Sequence, residues 1–454
     1  MSEIPVIVSF PLPFRVLVLS GLGILGWATN LHGLDLLGVD AVAAMDLQVE
    51  TSALSHLPHH LAQPKRPSHP SVIYNAVYRL FLGYSLWVFM SWASFRWLTY
   101  GDAVLVDAFG YIPAVSGLVL LMVLISPVDA LCKRERDKFL HALRRCVFTH
   151  LDGPIYFADV IFADIFTSFA KVLGDMWLSA CMLLPGNTLL STPADSVWLR
   201  WVMPTIMSLP YLIRLKQCIA EYSHAENESR RPLLNAIKYA SSFPVIYLSA
   251  AQRIVVSELV EAKGSGVTNE AWHGEHPLFR LWLLAAIVNS LYSFWWDVTN
   301  DWGLTLLKPT PEETDKKPAP PRQLLLSQSG SHSPHGSQDE TATNHQRESH
   351  PYGLRSMLLY PLPVYPLLIF LNLVLRLTWS VKLSSHLHSK SEGSVTIFWL
   401  EMAEVIRRWM WVFLRVEWEV VKKGQEGARR GAMVDEYSGD EAEYEMVYRA
   451  ADDS

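Results

Sequence analysis

Residues 399–415 read Trp-Leu-Glu-Met-Ala-Glu-Val-Ile-Arg-Arg-Trp-Met-Trp-Val-Phe-Leu-Arg, a membrane-length apolar run that contains charged side chains. A charge at the centre of a bilayer costs roughly 2.5–3.5 kcal/mol on insertion scales, so the adjacent Arg407 and Arg408 need a polar destination. Glu404 precedes them by three and four residues, within helical reach of either guanidinium. Two interpretations are open at this point: a functional site, or a structural ion pair with arginines that extend to a nearby membrane interface.

The composition of the 454-residue chain is that of a membrane protein. Half of its residues are hydrophobic, 18% are charged and 17 are Trp, which is too apolar for a soluble domain of this size. The net charge is −6, and no basic face predicts a nucleic-acid partner. The four cysteines show no paired spacing, so neither a disulfide scaffold nor a metal site is indicated, and no cofactor is predicted.

A window of about 20 apolar residues per span predicts an all-α, polytopic transmembrane helix bundle with about nine spans. The first apolar run lacks the basic region and cleavage site of a signal peptide, so we expect it to be a retained span. The predicted spans lie near residues 12–29, 76–98, 104–127, 157–185, 196–219, 233–256, 278–300, 355–381 and 393–416.

The basic segment Cys-Lys-Arg-Glu-Arg-Asp-Lys at residues 132–138 sets the predicted orientation, because cytosolic loops are enriched in Lys and Arg. Counting outward from it places the N-terminus on the luminal or outer side and the C-terminus in the cytosol. A polar stretch poor in aromatic residues and an acidic tail are both expected to be disordered. The predicted division is a membrane domain of seven helices over residues 1–301, a disordered cytosolic insert over 302–352, two further helices over 353–418 and an acidic cytosolic tail over 419–454.

Charged side chains lie inside several predicted spans, and cations occur on at least four of them. Fixed guanidinium and ammonium groups can replace the water shell of an oxyanion, and Arg matches two oxygens at once. Nearby acids would limit the positive charge of an empty site and keep binding weak enough for release. The pattern therefore predicts a pathway for an anion. The residues concerned are Arg214, Lys238, Arg376, Arg407 and Arg408, with Asp164, Asp297 and Glu404 as the nearby acids.

Five segments form an ordered set of motifs: 157–164 (FADVIFAD), 210–218 (PYLIRLKQC), 235–239 (NAIKY), 293–304 (SFWWDVTNDWGL) and 404–417 (EVIRRWMWVFLRVE). In order and spacing they resemble the EXS domain, over roughly residues 12–418. The resemblance implies a helix bundle that lines a phosphate pathway. It places pathway roles on the positions that match the family, which are Asp164, Arg214, Lys238, Tyr239, Asp297, Arg376, Trp379, Glu404, Arg407 and Arg408.

Three departures from the exporters of this family affect the interpretation. Thr167 stands where exporters tend to carry Asn, and Lys382 where they carry Gln, so coordination and gating are expected to differ in detail. The long exporters begin with an SPX domain that senses inositol pyrophosphates, and we expect none here. The resemblance is therefore nearest to the short fungal Golgi members, which are linked to recycling of luminal phosphate and to retention of glycosyltransferases.

The first functional prediction is a multi-pass Golgi membrane transporter or channel that moves inorganic phosphate from lumen to cytosol and so supports glycosylation and glycosyltransferase retention. The alternative is a non-transporting adaptor that retains or recycles Golgi glycosyltransferases and luminal proteins of the endoplasmic reticulum, with the charges serving assembly. No phosphate loop or nucleophile motif is present, so the chain is not predicted to be an enzyme. The predicted partners are inorganic phosphate and the lipid bilayer, with glycosyltransferases and a second copy of the chain as further candidates.

Overall fold

The fold is helical, as the sequence predicts. Within the described residues the chain forms helices and no strand, which confirms the all-α class. In the part of the chain that the structure describes, four helical segments are long and apolar enough to cross a membrane: Leu12–Leu36, Pro70–Thr99, Ala103–Ile125 and Pro277–Asp301. The total of nine spans stays a prediction. The computed structural model describes residues 6–45, 69–129, 131–148, 155–190, 199–224, 227–263, 277–306, 354–355, 357–385 and 392–452.

The helices follow one another through most of these ranges, and a π-helical turn, Asp297–Asp301, comes directly after one of them. In chain order they are α1 (Val6–Ser9), α2 (Leu12–Leu36), α3 (Ala41–Ala44), α4 (Pro70–Thr99), α5 (Ala103–Ala108), α6 (Tyr111–Ile125), α7 (Lys133–Val147), α8 (Phe157–Ser168), α9 (Ala170–Met182), α10 (Leu199–Ser223), α11 (Arg231–Ala240), α12 (Ser242–Lys263), α13 (Pro277–Trp296), α14 (Val364–Ser385) and α15 (Glu392–Asp452).

Two predicted spans are each divided into two helices. The predicted span 157–185 consists of α8 and α9, which meet at Phe169, and the predicted span 233–256 consists of α11 and α12, which meet at Ser241. The Ser241 Oγ donates a hydrogen bond to Asn289 Oδ1 at 2.8 Å, so a side chain of α13 stabilises the second break. These breaks and the π-helical turn interrupt regular helix within the bundle, and π-bulges in particular occur frequently at functional sites.

The segment after the π-helical turn corrects the predicted start of the insert. Trp302 and Leu304 are fully buried in the main core, together with Trp411 of α15, so residues 302–304 belong to the folded bundle. Burying a large apolar side chain contributes about 1.5–3 kcal/mol, which holds this segment in place. The remainder of the predicted insert, 307–352, lies outside the described residues.

Helix α15 corrects the prediction of a disordered tail. It is one helix from Glu392 to Asp452, so the acidic segment from Glu436 is helical rather than irregular. Extending an existing helix costs much less than nucleating a new one, and Glu and Ala, which are frequent in this segment, are good helix formers. The preceding helix begins later than predicted, because α14 starts at Val364 and not near residue 355.

Gly303 occupies a position that tolerates no side chain. Its φ is +63°, and a Cβ built there would lie 2.5 Å from the Trp418 ring. We expect Gly303→Ala to lower the free energy of unfolding by about 2–5 kcal/mol, because left-handed backbone strain and overpacking add. The loss should appear as a lower melting midpoint in detergent. Gly83→Ala is the matched control, since a Cβ there meets nothing within 4 Å, and an equal midpoint for both variants would contradict the prediction.

Candidate functional site

A connected network of buried and partly buried charged side chains lies where α8, α10, α11, α14, α15 and the π-helical turn meet. It contains five cations and four carboxylates among the described residues, and each of these groups hydrogen-bonds or ion-pairs with another member or with a polar side chain between them. The cations are Arg214, Lys238, Arg376, Arg407 and Arg408, and the carboxylates are Asp164, Asp297, Asp301 and Glu404.

Asp297 is the first centre of this network, and its side chain is fully buried. Its Oδ1 accepts a hydrogen bond from Lys238 Nζ at 3.3 Å, and its Oδ2 accepts from Arg376 Nη2 and from Asn372 Nδ2, the latter at 3.3 Å. Arg407 Nη1 lies 3.8 Å from the same Oδ2. Three helices thus direct cations at one carboxylate, which satisfies the requirement that a buried charge be paired and hydrogen-bonded.

Asp164 on α8 is the second centre. Its Oδ1 accepts hydrogen bonds from Arg214 Nε at 3.1 Å and from the hydroxyl of Tyr239. The Arg214 guanidinium lies over the Tyr239 ring, 4.9 Å from its centroid, and donates to Gln217 Oε1 at 2.6 Å. Tyr239 is adjacent in sequence to Lys238, which bonds the first centre, so the short helix α11 connects the two centres.

The third part of the network lies on α15, where two adjacent arginines have different partners. Arg407 Nε donates to Glu404 Oε2 at 2.9 Å, and its Nη2 donates to the other oxygen of Glu404. Arg408 instead reaches α8, with Nε donating to Ser168 Oγ at 3.0 Å and Nη2 donating to Thr167 Oγ1 at 3.1 Å. Successive helical residues point about 100° apart, because a turn holds 3.6 residues, so the pair spans two walls of the bundle.

Arg408 differs from the other four cations because it pairs with no carboxylate among the described residues. Its partners are two neutral hydroxyls and the ring of Trp411, whose centroid lies 4.6 Å from the guanidinium carbon. Its Nη1 is buried without a hydrogen-bond partner in the described part of the chain, as is Nε of Arg376. A buried cation without a counter-ion is unfavourable, so the arrangement has the capacity to accept an anion.

A cavity of about 150 Å³ borders the network. This is well above the roughly 10–15 Å³ that one water requires. Along α13 the lining begins at Trp282 and ends at Ser293, before the π-helical turn, so the cavity lies on the side of the network away from that turn. Six predicted site residues line it, namely Lys238, Tyr239, Arg376, Glu404, Arg407 and Arg408, while Asp164, Arg214 and Asp297 lie behind its wall.

Nine of the ten predicted site residues therefore belong to one network. For the tenth, Trp379, the structure describes only the helical backbone of α14, so its predicted stacking lies outside the described side chains, as does the position of the Lys382 side chain. Three neutral groups that link the charges were not predicted from the sequence: Ser168, Gln217 and Asn372. Asn372 carried a signal, because it precedes Arg376 by one helical turn and shares its face.

Comparison with known proteins identifies a family and several similar proteins. The EXS family matches residues 10–421. The chain is similar to Protein ERD1 homolog 1 of Schizosaccharomyces pombe, 29% identical over 325 residues that make up 70% of each chain. It is similar to Protein ERD1 homolog 2 of the same organism, 29% identical over 61% of this chain and 58% of the relative. It is also similar to Phosphate transporter PHO1 of Arabidopsis thaliana, 25% identical over 67% of this chain and 32% of the relative.

The aligned parts thus span less than two thirds of the length of Protein ERD1 homolog 2 and of Phosphate transporter PHO1. The family match includes every residue of the charged network. Apolar spanning helices and a helical bundle agree with that match. The chain is a multi-pass membrane protein and belongs to the EXS family.

Proposed function

We propose that this protein moves inorganic phosphate across the Golgi membrane, from the lumen to the cytosol. The observation that carries the proposal is the environment of Arg408, a buried cation that pairs with no carboxylate in the described part of the chain and faces a cavity. A tetrahedral oxyanion supplies the missing counter-charge and accepts the vacant guanidinium N–H. The name of one relative, Phosphate transporter PHO1, supports phosphate as that anion.

The arrangement of the other charges supports transport rather than tight storage. Arg407 and Lys238 are compensated by Glu404, Asp297 and Asp301, so an entering anion meets few unpaired positive charges. A pathway conducts when binding is strong enough for entry and weak enough for exit. The paired cations provide this balance. An anion that moves along the network binds a cation by displacing the carboxylate already paired with it, which keeps the binding weak enough for exit.

The predicted orientation assigns a direction to the cavity. If the basic segment 132–138 is cytosolic, α8 begins near the cytosol, and the cavity at its far end lies on the luminal side of the network. Phosphate released by glycosylation then enters from the lumen and leaves when the ion pairs behind the cavity rearrange. The Golgi placement and the link to glycosyltransferase retention rest on the resemblance to the short fungal members of the family.

The test of the proposed function is radiolabelled phosphate flux into proteoliposomes that contain the purified full-length protein. We expect saturable uptake above that of protein-free vesicles prepared in parallel. Thermal unfolding of the same preparation establishes that the protein is folded, and protease accessibility of the tail reports its orientation. No uptake by a folded preparation present in both orientations would contradict transport and favour the adaptor alternative.

A further inference from the structure

The cavity beside the network is lined by acids as well as cations. Glu401 and Glu404 of α15 both contribute to its wall. An ionised carboxylate only accepts hydrogen bonds, so it repels an anion that has no proton to share. Phosphate at neutral pH still carries a hydroxyl on phosphorus, whereas sulfate carries no proton. An acid in an oxyanion site therefore favours binding of an oxyanion that carries a proton over one that does not.

Glu404 has one acceptor position left. A carboxylate offers about four lone-pair positions. Its Oε1 accepts from Ser168 Oγ and from Arg407, and its Oε2 accepts from Arg407 Nε alone. Glu404 is also the most exposed member of the network, with 26% of its side chain accessible. The fourth position, on Oε2, has no donor among the described residues and belongs to a side chain that lines the cavity.

The side chain of Arg408, which carries a vacant donor, is joined to Glu404 through one hydroxyl. Ser168 Oγ is 3.0 Å from Glu404 Oε1 and 3.0 Å from Arg408 Nε, so one hydroxyl bridges the acid and the guanidinium. Arg408 Nη1 is the buried N–H without a partner in the described part of the chain. A small tetrahedral anion beside Ser168 can therefore accept from Arg408 and donate to Glu404 at the same time.

We infer that Glu404 makes the site selective for oxyanions that carry a proton, accepting the hydroxyl of phosphate and rejecting sulfate. The inference rests on the proposed function and adds the residue that determines specificity. A site that hydrogen-bonds a hydroxyl of its ligand strongly rejects an analogue without it, because its buried polar group is then left unpaired. Arsenate, which is tetrahedral and protonated at neutral pH, satisfies the same geometry.

The test is competition of unlabelled arsenate and sulfate against radiolabelled phosphate uptake in proteoliposomes at pH 7. In the wild type we expect sulfate to require a concentration at least about 100-fold higher than arsenate for half-inhibition. In Glu404→Gln the amide N–H can donate to sulfate, and we expect this ratio to fall below about 10. The ratio is taken within one preparation, so it does not depend on the amount of folded protein.

Two matched variants separate the acceptor from general effects of charge. Glu404→Asp keeps a carboxylate and should keep most of the discrimination. Glu401→Gln removes the other acid of the same cavity wall, one turn away, and should leave the ratio unchanged. If Glu404→Gln transports too slowly to measure, displacement of radiolabelled phosphate bound to the purified protein gives the same ratio.

The outcomes distinguish this inference from the proposed function. Wild-type uptake that sulfate inhibits as well as arsenate does, or an unchanged ratio in Glu404→Gln, overturns the inference while phosphate transport stands. Absence of phosphate uptake in the wild type overturns the proposed function and the inference with it.

Discussion

Arg408→Gln is expected to reduce phosphate flux at least about 30-fold without lowering the thermal stability of the protein. Truncating a buried charged partner of an anion costs roughly 2–5 kcal/mol, and each 1.4 kcal/mol is a factor of ten in affinity. Stability should be retained because Arg408 pairs with no carboxylate in the described part of the chain, and a neutral side chain removes an unfavourable buried charge. Loss of function without loss of stability is the result that identifies a ligand-binding residue.

The measurement is the initial rate of radiolabelled phosphate uptake at matched amounts of reconstituted protein, together with the melting midpoint. Arg144→Gln is the matched control. Arg144 is exposed in the last turn of α7, a helix that contributes no side chain to the network described above. Arg408→Lys keeps the charge but loses the planar fork, so it should recover only part of the flux. Wild-type flux in folded Arg408→Gln would contradict the prediction.

Asp297→Asn is expected to lower the free energy of unfolding by about 3–5 kcal/mol, whereas Arg408→Gln should keep its stability. Asp297 is fully buried and is the acceptor for Lys238 and Arg376, with Arg407 also within 4 Å. The amide leaves these cations without their shared counter-charge, and an uncompensated buried charge is strongly destabilising. The expected observation is a large drop in the melting midpoint in detergent.

A surface ion pair provides the control for Asp297→Asn. Glu426 lies 3.7 Å from Lys422, and both side chains are about half exposed, so Glu426→Gln should change the midpoint little. The double variant Asp297→Asn/Arg376→Gln removes one of the stranded cations and should recover part of the loss. An Asp297→Asn midpoint equal to that of Glu426→Gln would contradict the central role assigned to this carboxylate.

The charged members of the network could be predicted from the sequence because charges inside apolar spans are rare and need a reason. Arg407, Lys238 and Asp297 are visible in this way without any knowledge of the fold. Their pairing could not be found, because it depends on which helix faces which. Arg407 and Arg408 are neighbours in the chain, yet Arg407 bonds Glu404 of its own helix and Asn372 of α14, whereas Arg408 bonds α8. No periodicity in the sequence distinguishes the two.

The helix breaks show the same division between local and tertiary information. Hydropathy continues across Phe169, and the residues on either side are ordinary helix formers, so a single long span is the natural prediction there. The break at Ser241 did carry a signal, because Pro244 falls in the first turn of α12, where proline is tolerated. The hydrogen bond that Ser241 donates to Asn289 depends on packing between helices and has no counterpart in local sequence.

Helix α15 carries Arg408 and also the acidic end of the chain, without an interruption between them. At 1.5 Å of rise per residue, Asp452 lies about 66 Å from Arg408 along the axis. The backbone hydrogen bonds of an unbroken helix connect its two ends through one continuous element. A force applied to the acidic end is therefore transmitted along the backbone of this helix toward Arg408 and the cavity wall.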